Sequence, residues 1–297
     1  MRLLVSVANA AEARAALAGG ADVIDAKNPL AGALGAVSAD VMREIHATVA
    51  GRRLVTAAIG DAADETAIER AAGTFAGAGV ALVKVGFAGI TSASRVEALI
   101  AAAVRGVRAG GPIRLPALWL RPGNPDPADV AAGTWGPPSG GPIGLLPDLC
   151  GPIGLRPDLR GVVAVGYADA DRVASLAAGV LIDVAVRAGA TGVLLDTAEK
   201  AGPGLRELIT PAALAGWVDA AHDAGLLVAL AGKLTAEDLA FVRDAGADIA
   251  GVRGAACDGG RTGRVSAGRV ALLRTLCNPL EGGSHVRDLA DVRSVRL

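Results

Sequence analysis

Short apolar runs alternate with stretches of helical period along almost the whole chain. The runs, each about four to eight residues long and closed by Gly, Asp or Asn-Pro, read as strands buried on both faces. The pattern predicts strands at Leu3–Val7, Val23–Ala26, Leu54–Ile59, Ala81–Val85, Gly192–Leu195, Leu226–Leu230 and Ile249–Val252. The fifth strand in chain order has two candidates, Ile113–Leu120 and Val162–Tyr167. Helices are predicted over Ala10–Leu17, Ser38–Val49, Glu65–Ala76, Ser92–Val107, Leu176–Ala188, Pro211–Ala224, Thr235–Asp244 and Ser266–Leu276. Ser38 and Thr235 serve as N-caps, and Glu237 and Asp238 suit the positive end of the helix that Thr235 opens.

Strands and helices that alternate in this way build a parallel β/α architecture, and eight pairs favour a closed (β/α)8 TIM barrel over an open doubly wound sheet. No Gly-x-Gly-x-x-Gly follows the first strand, so the main sign of a dinucleotide fold is missing and no cofactor is expected.

Two segments break the pattern. Residues 121–160 are rich in Pro and Gly, and within them 141–150 and 151–160 are near copies, Gly-Pro-Ile-Gly-Leu-x-Pro-Asp-Leu-x. Two copies are too few for a solenoid, and a tandem duplication in a tolerated insertion or loop accounts for them. A polar tail follows Asn278-Pro279. The expected organisation is one barrel domain over 1–278, carrying the 121–160 insertion, and a C-terminal tail over 279–297.

Composition narrows the function. The 297 residues are 52% hydrophobic with net charge −1, which gives no argument for nucleic acid or a membrane as partner. Aromatic residues make up 2%, too few for a base-stacking surface. No apolar run approaches the ~20 residues of a membrane span. Met1–Ala10 faintly imitates a signal peptide, but its apolar part is too short for a signal core, and it reads as the first strand. Cys150, Cys257 and Cys277 are scattered, without metal spacing or a disulfide framework, so a reducing cytoplasm is expected. His46, His222 and His285 show no ligand spacing, and no metal site is expected. The sequence leaves the oligomeric state open, a homo-oligomer included.

The lysines carry the chemistry. Of 29 basic residues only Lys27, Lys84, Lys200 and Lys233 are lysine; the rest are arginine. Arginine replaces lysine as a surface charge but not as a nucleophile, because its guanidinium stays protonated. All four fall at or near the carboxyl end of a predicted strand, where barrel active sites lie. Asp25, Asp61, Asp169 and Asp196 stand at the same ends. Asp25 and Lys27 are two apart, so on a strand they share a face. Helix capping is the alternative reading of these acids; Asp61 suits it equally well, whereas Asp25 and Asp196, on strand ends flanked by apolar residues, suit it less.

Several lysines and acids in one pocket suit carbonyl chemistry. A lysine amine attacks an aldehyde to form a Schiff base once burial and neighbouring cations have lowered its pKa, and an adjacent carboxylate can then move protons. Gly232-Lys233 and Arg253-Gly254-Ala255 follow the last two strands, where phosphate sits in many such barrels. A phosphorylated aldehyde or ketone is the expected small-molecule partner.

These stretches also carry a family resemblance. Ala21–Pro29 with Gly32–Ala36, Val83–Gly86, Gly166–Ala170, Leu195–Lys200, Val228–Gly232 and Gly251–Cys257 follow one another as in the (5-formylfuran-3-yl)methyl phosphate synthases of methanofuran biosynthesis, which the chain resembles. The resemblance implies a (β/α)8 lyase that condenses two glyceraldehyde 3-phosphate molecules into a furan phosphate, with Lys27 as the Schiff-base lysine. It implies Asp25, Lys84, Asp196 and Lys200 as pocket residues for acid–base work and phosphate contact. The 121–160 duplication departs from the family pattern. The Arg-rich composition suggests a bacterial chain. Two rival readings stay open: a class I aldolase-type enzyme on another sugar phosphate, and a non-catalytic barrel that binds a phosphometabolite.

Overall fold

The computed structural model describes residues 1–110 and 160–278. The strand candidate Ile113–Leu120, the duplicated stretch up to residue 159 and the tail 279–297 lie outside the described residues. Eight strands close into a barrel in chain order: β1 (Arg2–Val7), β2 (Val23–Ala26), β3 (Leu54–Asp61), β4 (Leu82–Gly86), β5 (Gly161–Tyr167), β6 (Gly192–Asp196), β7 (Leu227–Leu230) and β8 (Ile249–Val252). Every neighbouring pair is parallel, and β8 returns to β1 with Ile249 opposite Arg2. The later candidate, Val162–Tyr167, therefore fills the fifth place between β4 and β6.

The helices are α1 (Ala10–Ala18), α2 (Ala39–Val49), α3 (Glu65–Gly77), α4 (Ala93–Ala109), α5 (Ala178–Arg187), α6 (Leu205–Leu208), α7 (Pro211–Asp223), α8 (Asp238–Asp244) and α9 (Ala267–Cys277). Ser38, Asp64, Ser92 and Thr210 each accept a first-turn N–H through the side chain, which satisfies a donor the helix cannot. The expected start at Thr235 is corrected. Helix α8 begins at Asp238, and the Thr235 N–H and O–H donate to the Asp238 carboxylate at 3.0 and 2.9 Å. Asp238 thus draws the preceding residues into a turn instead of a first helical turn. Leu176 is likewise buried ahead of α5 and not within it.

The core has two layers. One lies between strands and helices and includes Leu3, Val5, Ile24, Val83, Leu195 and Val228. The other fills the barrel with Leu4, Val23, Leu54, Leu82, Val163, Leu194, Leu227 and Ile249. Strand side chains alternate between faces, so two residues further on the same inward face continues. There it carries Ser6, Asp25, Thr56, Lys84 and Asp196, all buried. The barrel is apolar towards its amino end and polar at its carboxyl end. Each fully buried leucine of the lower layer contributes ~1.5–3 kcal/mol. The polar layer must be matched group by group to avoid a comparable loss.

Candidate active site

Above the polar layer opens a cavity of about 560 Å³, within the usual range for a small-molecule site. All four lysines of the chain line it, together with Ser6 and Asp196. Gly232, Arg253, Gly254 and Ala255 form its side towards β7 and β8. The structure thus brings the lysines into one chamber although they stand on four different strand ends.

Asp25 lies beneath the floor and does not reach the cavity surface: it is 0% exposed. Its Oδ2 accepts from Lys84 Nζ at 2.6 Å and from Ser6 Oγ at 2.8 Å, and its Oδ1 accepts from Thr56 Oγ1 at 2.7 Å. Burial pushes this carboxyl up. The charges of Lys84 and Lys27, with the hydrogen bonds from Lys84 and Thr56, outweigh burial and hold it below its ordinary value. With both oxygens engaged, Asp25 is a fixed negative charge under the lysines.

Across the barrel, Lys200 Nζ lies 2.7 Å from Asp196 Oδ1 and also donates to the Thr197 carbonyl. The same carboxylate oxygen accepts the Thr197 N–H at 2.7 Å. Burial raises the Asp196 carboxyl, while Lys200, Lys27 and these hydrogen bonds lower it further, so it too sits below the ordinary range. Asp169 is not part of the cavity lining. Its two oxygens accept the N–H groups of Ala198 and Glu199 at 2.7 and 2.9 Å, which shapes the loop that carries Lys200.

Lys27 stands just past β2, buried, with its backbone N–H on the Val7 carbonyl. Of the four lysines it alone has no hydrogen bond or ion pair to its ammonium among the described residues. Burial pulls its pKa down to about 8; Asp196 and Asp25 oppose this, while Lys84 and Lys200 add to it. At pH 7 roughly a tenth of such a group is the free amine, against fewer than about one in a thousand for an ordinary lysine.

The rim is built from backbone as much as from side chains. Lys233 holds a left-handed backbone, φ 59°, and its ammonium donates to the Gly202 carbonyl, two residues beyond Lys200. Arg253 was expected to meet phosphate, and its side chain is otherwise employed. It pairs with the Glu12 carboxylate through both terminal nitrogens and donates to the carbonyls of Ser6 (2.9 Å), Arg261 (3.0 Å) and Gly263 (3.0 Å). A guanidinium has five N–H donors, and these contacts use all five. On that side an anion is left the amides of Gly254 and Ala255, which open a 3-10 turn over Gly254–Ala256.

Asp61, like Asp169, lies outside the cavity lining. Its Oδ1 accepts from the Tyr167 hydroxyl at 2.7 Å and the Ala88 N–H at 3.0 Å. Burial, then the charge and hydrogen bond of Asp61, push the Tyr167 hydroxyl far up, so it stays protonated. Gly86 packs against this pair: a Cβ there would come within 2.3 Å of both oxygens.

A family described as 4-HFC-P synthase matches residues 3–114 and 155–274, which flank residues 115–154. The chain belongs to the 4-HFC-P synthase family. A relative from Methanopyrus kandleri, named (5-formylfuran-3-yl)methyl phosphate synthase, is 37% identical over 94% of this chain and 98% of its own. The namesake from Methanocaldococcus jannaschii is 33% identical over 93% and 100%. A bacterial relative, from Streptomyces griseus, carries the same name in provisional form and is 34% identical over 85% and 84%. Among solved structures, a 3-hexulose-6-phosphate synthase superposes with a TM-score of 0.54 at 20% identity, covering 94% of this chain and 100% of its own. That likeness reflects the shared barrel.

Four residues of the site, Ser6, Thr56, Glu12 and Arg261, are not evident from the sequence pattern alone. Ser6 and Thr56 follow from the inward alternation once β1 and β3 are aligned with β2, where Ser6 faces Asp25 and Asp25 faces Thr56 in register. Glu12 sits in the first turn of α1, where an acid is ordinary, and nothing in sequence points it at Arg253. Among the described residues no group of three or more His, Cys, Asp or Glu side chains is placed to hold a metal ion, and no helix is long and apolar enough to cross a membrane.

Proposed function

We propose that the chain is a furan phosphate synthase. It joins two glyceraldehyde 3-phosphate molecules into (5-formylfuran-3-yl)methyl phosphate through an imine on Lys27, with loss of one phosphate and two waters, and so acts as a carbon–oxygen lyase. The names of the family relatives support the product. The observation that carries the mechanism is Lys27, which faces the cavity with no partner on its ammonium among the described residues and a pKa drawn down to about 8. A lysine attacks as its neutral amine, and the lowered pKa of Lys27 keeps part of it in that form at working pH.

The neutral Lys27 amine attacks one aldehyde carbon, and loss of water gives the imine. The cationic imine nitrogen makes the neighbouring carbon acidic. Lys200, hydrogen-bonded to Asp196, is the pair that moves protons to and from the substrate. Lys84 is held by Asp25, and its charge faces the substrate as an electrostatic partner for developing negative charge. Phosphate is bound at the β7–β8 side by Lys233 and the amides of Gly232, Gly254 and Ala255, not by the Arg253 side chain.

Incubating the purified chain with glyceraldehyde 3-phosphate tests the reading. The expected product is a conjugated furan aldehyde, seen by ultraviolet absorbance and by its mass. An acyclic six-carbon product without that absorbance would assign an aldolase instead, and binding without turnover would leave a phosphometabolite-binding barrel.

A further inference from the structure

Arg261 is a cation in the cavity wall that no step above employs. It belongs to a small excursion after β8: β9 (Cys257–Asp258) and β10 (Arg264–Val265) pair antiparallel, joined through Gly259 and Gly260 at φ 82° and 78°. Those angles suit glycine, and they turn the chain back over the barrel mouth. The buried Arg253 grips this hairpin from below by donating to the carbonyls of Arg261 and Gly263, and Glu12 pairs with Arg253 in turn. Arg261 is thus presented by a braced frame.

Its side chain crosses to the loop after β2. One terminal nitrogen donates to the Pro29 carbonyl and the other to the Gly32 carbonyl, the latter at 2.6 Å. The loop's other hydrogen bonds are internal: the Asn28 N–H to the Gly35 carbonyl, the Ala31 N–H to the Asn28 carbonyl and the Leu30 N–H to the Asn28 side chain. Among the described residues, Arg261 therefore supplies the hydrogen bonds that hold residues 28–36 from outside. Pro29 lies two residues beyond Lys27, whose own ammonium has no hydrogen bond or ion pair among the described residues to keep it in place. The orientation of that amine depends on the backbone that carries it.

We infer that Arg261 is a positioning residue for Lys27, a planar clamp that ties the β8 hairpin to the β2 loop and holds the amine in line with the bound aldehyde. The inference rests on the reading of Lys27 as the imine-forming lysine. A guanidinium suits the task because its two terminal nitrogens reach two carbonyls at once, which one ammonium does not reproduce.

The test is the rate of borohydride-trapped adduct formation with glyceraldehyde 3-phosphate, measured against substrate concentration for the wild type, Arg261→Ala and Arg261→Lys. Displacing a reacting group by about 1 Å costs up to roughly a hundredfold. Arg261→Ala is expected to lower the saturating rate by roughly tenfold to a hundredfold. Half-saturation should stay nearly constant, millimolar guanidinium should restore part of the rate, and Arg261→Lys should fall between the two. A raised half-saturation at unchanged saturating rate would make Arg261 a substrate-binding cation and overturn the inference; so would no change in either. If Arg261→Ala does not fold, the same comparison on Arg261→Lys decides. A wild type that traps nothing on Lys27 removes the underlying reading, whereas a normal wild type with an unaltered variant removes the inference alone.

Discussion

Lys84 donates to Asp25 across 2.6 Å at the end of the barrel core, with the carboxylate fully enclosed and the ammonium nearly so. Taken alone, such a pair is weak evidence for stability, because desolvating both charges offsets most of their attraction. Its consequence shows when one partner is removed. Lys84→Met leaves Asp25 with only the Ser6 and Thr56 hydroxyls, and the expected loss is about 3–5 kcal/mol. The double variant Lys84→Met/Asp25→Leu removes the stranded charge but takes the acceptor from the Ser6 and Thr56 hydroxyls, so it should recover only part of the loss. Denaturant midpoints of the two variants check this directly.

The same pair sets an acid limit. Asp25 and Asp196 both titrate below the ordinary carboxylate value in the folded chain. Their contribution is therefore complete above the unfolded value of about 3.9 and is lost as pH falls through the lower folded value. Stability measured against pH should drop steeply below about pH 4, and Asp25→Asn should flatten that limb.

Lys27 predicts a rate profile. Imine formation should rise with pH, reach half its maximum near about 8 and then level off, because only the neutral amine attacks. Lys200 depresses the Lys27 pKa and Asp196 raises it. Lys200→Met should therefore move the midpoint to higher pH, and Asp196→Asn to lower pH. Midpoints that move in the same direction would contradict the charge account.

The barrel is legible because its strands are short, apolar and closed by turn residues, and β2 runs between the ends its pattern predicts, Val23 and Ala26. The lysine set was legible because arginine had displaced lysine elsewhere. That signal has no counterpart for Arg261, which is one arginine among many. The hairpin that presents it has strands of two residues, too short for any periodicity; the Asp258-Gly259-Gly260 turn was its only trace. The depth of Asp25 was hidden too. Sequence put Asp25 and Lys27 on one face, but only the register of β1, β2 and β3 shows that Asp25 lies below the cavity while Lys27 opens into it.

Arg253 predicts a split between folding and binding. All five of its donors are engaged, so Arg253→Ala leaves the Glu12 carboxylate without its counter-charge, with the Ala8 N–H as its remaining donor, and strips the hairpin of its brace. The expected loss is about 3–5 kcal/mol. Arg253→Lys keeps the charge but only three donors, and should recover a minor part. Thermal unfolding of both variants reports it.

The central claim is that Lys27 carries the substrate as an imine. Borohydride reduction in the presence of glyceraldehyde 3-phosphate, followed by peptide mass mapping, tests it most directly. The account predicts one stable adduct, on Lys27, absent from Lys27→Arg and still formed, more slowly, in Lys200→Met. An adduct that persists unchanged in Lys27→Arg, or that maps to Lys84, Lys200 or Lys233 in the wild type, would contradict it.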